Sequence, residues 1–374
     1  MLRLTNIVLA DGKTIPEIEI DDGKKAIEER DMGNLLAVPG FIDSHIHGSF
    51  GLDVSDGKAD DIVSLASRLP EFGVSDFLPT LMSLDEKSIL KAAEAVSEAS
   101  EKLSQCEGPY ASISGLRLEG PFLSSSRSGV QNSDNLVSAD EFASILEKVE
   151  NTCPGLIRMI DIAPELEGAM ELVREYKDKY VISLAHSDCD YKKAAEFFKN
   201  GGNSLTHALN AMKPCLKREP GPLGAAYDDP DSYIEVICDG IHVDPTVLRM
   251  LFGLFEGRII VISDAMRAGG MPDGIYDLGG TAVESRGGRT YFGPSGNLAG
   301  SVSNLSQEAE RLFSYGIGKT NIIKALTDTP AKRLGIRSGI VPGEQNCHIN
   351  FVDQKLRLKC VISRGRLVSS FIML

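Results

Sequence analysis

The middle of this chain alternates short apolar runs with amphipathic stretches, and this alternation limits the fold more than any other feature. Eight apolar runs are predicted strands, at residues 36–43, 75–79, 112–118, 157–162, 181–185, 204–206, 234–238 and 259–263. Between several of them apolar residues recur at helical spacing, as at Ile62, Leu65 and Leu69. Alternating strands and helices are typical of a parallel sheet, and eight repeats predict an α/β fold of the closed (β/α)8, TIM-barrel type.

Both ends of the chain follow a different pattern, in which short strands are separated by turns. Strands are predicted at residues 2–9, 14–20 and near 26–30, and again at 349–352, 358–363 and 367–372. The most economical arrangement joins them into a small β-sandwich domain of residues 1–37 and 338–374, beside a catalytic barrel of residues 38–337. A Gly-rich segment after the eighth strand contains two strand-like stretches, 276–280 and 289–293, which we expect to pair as a hairpin.

Composition excludes several classes of partner. The chain has 374 residues and a net charge of -14, which argues against nucleic acid and against an acidic membrane surface. Its 7 cysteines are odd in number and form no Cys-x-x-Cys pair, as expected for reduced thiols in a cytoplasmic protein. We find no signal peptide and no charge-free stretch of membrane-spanning length. A small-molecule substrate is predicted, and an anionic one would need local positive groups.

Most histidines of the chain lie at the ends of predicted barrel strands. Of 6 histidines, five lie just after a predicted barrel strand, namely His45, His47, His186, His207 and His242. The carboxyl ends of barrel strands form the active-site face. Two acids, Glu119 and Asp264, follow the third and eighth strands in the same way. His348 lies in the tail, where a structural role is expected.

Imidazole and carboxylate groups are the ligands that zinc and similar divalent metals prefer. His45 and His47 are two residues apart in a strand, so their side chains point the same way. Each residue alone has an ordinary alternative: His186 a hydrogen-bonded histidine, Glu119 a turn residue, Asp264 a helix N-cap. Their common position on one barrel face instead predicts a divalent-metal site.

A set of short motifs carries a resemblance to a known family. They are Pro39-Gly40-Phe41-Ile42-Asp43, His45-Ile46-His47, Leu118-Glu119-Gly120-Pro121-Phe122, Ala185-His186-Ser187, Thr206-His207, Asn210-Ala211-Met212, Asp239-Gly240-Ile241-His242 and Ser263-Asp264-Ala265. In this order they resemble the amidohydrolase superfamily, and within it the family of N-acetylglucosamine-6-phosphate deacetylases.

The resemblance implies hydrolysis of the N-acetyl amide of N-acetyl-D-glucosamine 6-phosphate by a metal-dependent homodimer. Glu119, His186 and His207 would bind the principal metal, and His45 and His47 a second one. Asp264 would be the catalytic aspartate. Zinc is expected first, with iron, manganese or cobalt as alternatives, and one or two ions per chain. The groups expected to hold the phosphate are Asn210, the backbone of Ala211, His242, and Arg218 reaching across from the dimer partner.

The implied chemistry suits these residue types. A bound divalent metal lowers the pKa of water to about 7 and polarises a carbonyl. Asp264 can accept the proton of the attacking water and later deliver it to the leaving amine. A nucleophilic serine or cysteine is not needed, and the sequence has no Gly-x-Ser-x-Gly elbow.

Three departures from the family pattern concern the substrate. Ser128-Gly129-Val130-Gln131 stands where the family usually has Lys-Gly-Ala-His. Gln131 can donate a hydrogen bond to a substrate but cannot carry a proton or a charge. Ala208-Leu209 and Ala185 also depart from the usual residues and would alter the shape of the pocket. N-acetylgalactosamine 6-phosphate or another N-acyl sugar phosphate therefore remains an alternative substrate. A catalytically inactive scaffold is a further alternative, although every expected ligand is present.

Overall fold

A computed structural model describes residues 2–10, 12–20, 28–33, 35–293, 296–340 and 347–370. Its centre is a barrel of eight parallel strands, so the predicted α/β barrel is confirmed. The first to eighth barrel strands are Phe41–Ile46, Val74–Leu81, Leu116–Glu119, Ile157–Ile162, Val181–Leu184, Ser204–Leu205, Tyr233–Ile237 and Ile259–Ile262. The first and eighth strands meet where the Asp264 N–H donates to the His45 carbonyl at 2.9 Å, which nearly closes the barrel.

Ten helices follow or connect strands of the described chain, and the apolar faces of nine pack with the strands in one large core. The tenth packs through Ala331 and Leu334 in a smaller cluster with strand residues of the barrel. The helical spacing at Ile62, Leu65 and Leu69 was predicted, and these side chains are buried. A capping box between Ser138 and Glu141 begins one helix by satisfying free backbone N–H groups. The helices are Ala59–Arg68, Glu86–Ser104, Ala139–Thr152, Ala169–Tyr176, Tyr191–Asn200, Gly221–Asp228, Pro245–Leu254, Leu305–Ser314, Lys319–Leu326 and Asp328–Leu334.

The two chain ends come together in a seven-stranded sheet, which we call the end sheet. Its strands are Leu2–Leu9, Thr14–Ile20, Glu28–Asp31, Leu36–Pro39, His348–Val352, Leu358–Ser363 and Arg366–Ser370. Leu4, Ile7, Phe351 and Ile362 belong to its own apolar cluster. The small β domain built from both ends is thus confirmed, while its limits at residues 37 and 338 stay a prediction. Parts of two predicted strands, 26–27 and 371–372, lie outside the described residues.

The predicted strand at 36–43 is wrong, because it merges strands of two sheets. Leu36–Pro39 pairs within the end sheet, and Phe41–Ile46 begins the barrel. Gly40 separates them at a point where the chain passes very close to Ser75. A Cβ atom on Gly40 would lie 2.3 Å from the Ser75 Cβ, so this crossing requires glycine.

The predicted pairing of 276–280 with 289–293 is also wrong. The strand Thr281–Arg286 lies between Gly274–Leu278 and Arg289–Phe292, and Asn297–Leu298 completes a four-stranded sheet. Two glycine pairs, Gly279-Gly280 and Gly287-Gly288, have positive φ and form two-residue turns that reverse the chain at each end of that middle strand. We call this sheet the insertion sheet.

Shorter pairings complete the architecture. Gly48–Ser49 and Leu52–Asp53 form a two-stranded ribbon after the first barrel strand, and Ser112–Ile113 pairs with the second barrel strand. Within the described part of the chain, no helix combines the length and the apolar character needed to cross a membrane.

Candidate metal centre and substrate pocket

Four imidazoles and two carboxylates meet at the carboxyl ends of the barrel strands. His45 lies in the first strand and His47 just after it, while Glu119 ends the third strand. The other three each lie two residues beyond a strand, namely His186, His207 and Asp264 after the fifth, sixth and eighth strands. All six side chains are buried. Parallel barrel strands end around one mouth, which brings residues from distant parts of the sequence together.

The backbone at three of these positions is unusual. His186, His207 and Asp264 have φ values of 44°, 29° and 46°. Left-handed backbone is uncommon in residues other than glycine, and such strain concentrates at functional sites. The sequence after the eighth strand also excludes the N-cap alternative for Asp264, because the next described element is the strand Gly274–Leu278.

Glu119, His186 and His207 form a first triad. Glu119 Oε1 lies 3.1 Å from His186 Nε2 and 3.0 Å from His207 Nε2, and the two Nε2 atoms are 3.2 Å apart. His186 Nδ1 donates to the Arg127 carbonyl at 2.9 Å, which leaves its Nε2 lone pair facing the triad. A metal ion binds to such a neutral imidazole nitrogen, so the donor set fits a divalent ion.

His45, His47 and Asp264 form a second triad. Asp264 Oδ1 lies 3.5 Å from His45 Nε2 and 3.3 Å from His47 Nε2. His47 Nδ1 donates to the Thr80 carbonyl at 3.1 Å, so its Nε2 also faces the triad as an acceptor. Each triad offers three ligand atoms within 4.8 Å of one another. These residues therefore fit a second ion as well as a first.

The carboxylates of Glu119 and Asp264 create a negative electrostatic potential at both triads. Burial lowers the pKa of His47, but hydrogen bonds and charge from Asp264 and Glu119 raise it to about 10. Burial and Arg117 lower the pKa of His45, and the same two carboxylates raise it to about 9. Burial raises the pKa of Asp264, but the facing imidazoles lower it to about 2. The site therefore favours positive charge, and a metal ion would compete with protons for the imidazoles.

A cavity of about 460 Å³ opens directly above the triads. Nine of the residues predicted from the sequence line it: His47, Glu119, Gln131, His186, His207, Asn210, Ala211, His242 and Asp264. Leu278, Phe292 and Leu298 of the insertion sheet form another part of its wall. Two residues predicted for the site do not line the cavity. His45 is fully buried behind the cavity, and Arg218 lies on an exposed turn that does not line it.

The polar groups around this cavity are held in place by hydrogen bonds. His242 Nδ1 donates to Asp239 Oδ2 at 2.8 Å, and this contact, against the effect of burial, lowers the pKa of Asp239. Asn210 Nδ2 donates to the His207 carbonyl at 3.2 Å. Gln131 Nε2 donates to Glu119 Oε2 at 2.7 Å, and its Oε1 accepts from a backbone N–H at 2.7 Å. The Gln131 amide thus supports Glu119 directly.

A set of charged residues below the triads was not predicted from the sequence. Arg117, Asp161 and Glu235 are buried inside the barrel, and the Arg117 guanidinium is paired with both carboxylates. A signal for them was available, since each interrupts an apolar strand. A charge in the middle of a buried strand requires a partner, and three such charges on different strands predict a buried network.

The sequence is similar to those of known amidohydrolases. Residues 36–368 match the amidohydrolase family. An N-acetylglucosamine-6-phosphate deacetylase of Bacillus subtilis (strain 168) is 34% identical over 340 residues, covering 89% of this chain and 84% of that protein. An N-acetylgalactosamine-6-phosphate deacetylase of Escherichia coli O157:H7 is 31% identical over 373 residues, covering 98% of this chain and 94% of that protein.

Solved structures show the same likeness. A variant of N-acetyl-D-glucosamine-6-phosphate deacetylase from Mycobacterium smegmatis, solved in complex with N-acetyl-D-glucosamine-6-phosphate, is 26% identical and has a TM-score of 0.86. The match covers 99% of each chain, so it includes the end sheet as well as the barrel.

Proposed function

Because the chain belongs to the amidohydrolase family, we propose that it is a metal-dependent hydrolase that removes acetate from N-acetyl-D-glucosamine 6-phosphate. The products are D-glucosamine 6-phosphate and acetate, as in amino-sugar catabolism. One observation carries this proposal: two triads of metal-ligand type meet at the floor of a cavity of about 460 Å³. A cavity of this size is within the range that holds a small-molecule ligand.

In this proposal the chain's residues divide the work. Glu119, His186 and His207 hold one divalent ion, and His45 and His47 with Asp264 hold a second. When bound, the metal supplies Lewis-acid activation of water and of the amide carbonyl. Asp264 lines the cavity and is the general base that takes a proton from the attacking water. The same carboxyl group then delivers the proton to the amine nitrogen as the C–N bond breaks.

The phosphate end of the substrate requires donors, because the chain as a whole carries a net charge of -14. His242 is suited to this role, since its Nδ1 is bonded to Asp239 and its ring lines the cavity. Asn210 and the backbone of Ala211 line the same region. We assign the fourth contact to Arg218 of a dimer partner, because this exposed arginine does not line the cavity of its own chain.

The alternative substrates differ in their sugar or acyl group. The relative from Escherichia coli O157:H7 is named for N-acetylgalactosamine 6-phosphate, the epimer at one hydroxyl group. Gln131 also supports an alternative acyl group. Its amide is hydrogen-bonded to Glu119, and it stands where the family usually has a histidine. The inactive scaffold is disfavoured, because both triads are complete.

Three finer assignments complete the proposal. Zinc is the preferred ion, since histidine nitrogen and carboxylate oxygen form its usual ligand set. Iron, manganese and cobalt suit the same donors. The enzyme is proposed to act in the cytoplasm, on a phosphorylated sugar, and as a homodimer.

The test is acetate release from a panel of sugars by one protein sample of known metal content. The panel contains N-acetylglucosamine 6-phosphate, its galactosamine epimer, and each sugar without phosphate. We expect the highest kcat/KM for N-acetylglucosamine 6-phosphate. A higher value for the epimer would transfer the assignment to the alternative, and no acetate from any sugar phosphate would overturn the proposal.

A further inference from the structure

The charged network inside the barrel has no role in the proposed chemistry, yet it lies immediately below the triads. Arg117 is fully buried, and all three guanidinium nitrogens are bonded. Nε and Nη2 donate to Asp161 at 2.8 and 3.0 Å. Nη1 and Nη2 donate to the two oxygens of Glu235, both at 2.8 Å. Nη2 also lies 3.0 Å from Thr206 Oγ1, and Nη1 donates to the Ser44 carbonyl at 2.9 Å.

This network is connected along the chain to the residues that form the triads. Ser44 precedes His45, Thr206 precedes His207, and Arg117 is two residues before Glu119. With both carboxyl groups ionised, the network holds one positive and two negative charges. A surplus negative charge is costly inside a protein unless a positive group lies near it. Two such groups interact with Glu235, namely the buried Arg333 guanidinium and the His45 imidazole of the second triad.

Glu235 is the member of the network that faces a triad directly. Its Oε2 lies 3.9 Å from His45 Nδ1, and its Oε1 accepts a hydrogen bond from Ser44 Oγ at 3.0 Å. His45 Nδ1 is buried, and among the described residues it has no hydrogen-bond partner. His47, the neighbouring ligand, has its Nδ1 bonded to a backbone carbonyl.

The chemistry of a metal-binding imidazole requires a partner at this nitrogen. For His45 to bind a metal through Nε2, its Nδ1 must carry the proton. Ligating histidines almost always donate that proton to a carboxylate or carbonyl, which fixes the ring and raises the basicity of the ligand nitrogen. Glu235 supplies such a carboxylate, and Arg117 prevents it from turning away, because it holds both Glu235 oxygens.

We propose that Glu235, held by Arg117, is the positioning residue of His45 and thereby sets the affinity of the second triad for its metal ion. This inference rests on the metal-binding role of the second triad in the proposed function. Glu235 does not line the substrate cavity, so its effect acts through His45.

The test compares Glu235→Gln with Asp161→Asn in the full-length protein. Both substitutions remove one carboxylate from the same guanidinium, but only Glu235 faces His45 Nδ1. Zinc per chain is measured by elemental analysis, and the affinity of each zinc site by competition with a chelator. Partner groups of this kind are typically worth about 10–100-fold in metal affinity. We expect the zinc site of the second triad to lose about 10–100-fold in affinity in Glu235→Gln and to stay within about threefold of wild type in Asp161→Asn.

The outcomes distinguish a positioning role of Glu235 from a purely structural role in the core. Equal losses in both variants, or an unchanged second site in Glu235→Gln, would overturn the inference. If Glu235→Gln does not fold, Ser44→Ala decides, because it removes a hydrogen bond to Glu235 and keeps every charge. We then expect weaker binding at the second zinc site alone, and unchanged binding there would overturn the inference.

The proposed function fails in a different way. A wild-type protein that binds one zinc ion and releases acetate overturns this inference and the second metal site, and leaves the proposed reaction intact. A wild-type protein that binds two zinc ions and deacetylates no sugar phosphate overturns the proposed function alone.

Discussion

Glu119 Oε2 lies 3.2 Å from His47 Nε2, so a carboxylate of the first triad reaches into the second. Its other oxygen, Oε1, contacts both imidazoles of the first triad. One carboxylate therefore connects two groups of ligands, one of which begins at the first barrel strand and the other at the third. The two triads are therefore adjacent, with the Glu119 carboxylate between their imidazoles.

Replacing both His45 and His47 with alanine is expected to lower the metal content by about one ion per chain. The first triad keeps its three ligands and should retain its ion, because two imidazoles and a carboxylate are a sufficient set. Elemental analysis of metal-replete protein measures the change. His242→Ala is the control, since it lies in the same cavity but outside both triads, and it should keep the wild-type stoichiometry. An unchanged metal content in the double variant would leave both histidines without a metal role.

Asp264→Asn is expected to reduce kcat by at least about a hundredfold, because general acid–base assistance is worth about 10²–10⁴-fold. Asparagine preserves the shape of the side chain and cannot be protonated. At least one metal ion per chain should remain, held by the first triad, and KM should change little. Steady-state kinetics and elemental analysis on one sample give both values. A kcat near that of wild type would remove Asp264 from the mechanism.

Arg218→Ala is expected to lower kcat/KM for the phosphorylated sugar by about one to two orders of magnitude. A charge-assisted hydrogen bond contributes roughly 1.5–3 kcal/mol, and about 1.4 kcal/mol corresponds to a factor of ten. The same sugar without phosphate should show a much smaller loss. Lys217→Ala is the matched control, because it removes an exposed positive charge from the neighbouring position. Equal losses on both sugars would mean that Arg218 does not contact the phosphate.

Most of the candidate site was predictable because the residues of its two triads follow strands that the apolar pattern identifies. His186, His207 and Asp264 each lie two residues beyond a barrel strand, and the barrel itself brings these strand ends together. The interior network was not predicted, because Arg117 and Glu235 fall inside the predicted strands and strand prediction relies on their apolar neighbours. Their role depends on contacts between strands far apart in the sequence, which a local pattern does not describe.

The two errors in the predicted fold arise where the local sequence pattern does not show how strands pair. The first predicted strand was extended through Gly40, since apolar residues lie on both sides of it, while the close approach to Ser75 is a tertiary contact. The predicted hairpin skipped Thr281–Arg286, whose mixed composition resembles a loop. Its position between two strands is determined by the glycine turns on either side.

His348 is expected to make the protein sensitive to acid. Burial, and then the charge of Arg364, lowers the pKa of His348 to about 4. The ordinary value is about 6.5, so the unfolded chain takes up a proton more readily than the folded one between these two values. Stability from the neutral imidazole is therefore fully present above about pH 6.5 and is lost as the pH falls toward 4. The loss amounts to roughly 3 kcal/mol.

The comparison is the free energy of unfolding in urea from pH 7 to pH 4, for wild type and His348→Gln. Glutamine does not titrate, so the variant should lose less stability over this range. Metal ligands contribute equally to both proteins, and the difference between the two curves isolates His348. Parallel curves for the two proteins would contradict the assignment.

The most direct test of the central claim measures turnover of N-acetyl-D-glucosamine 6-phosphate as a function of metal per chain. The protein is first treated with a chelator, and zinc, manganese, cobalt or iron(II) is then added back in steps. Metal-dependent hydrolysis predicts that acetate release disappears in the chelated protein and returns as the sites fill. Full turnover by a protein that elemental analysis shows to be free of metal would contradict it.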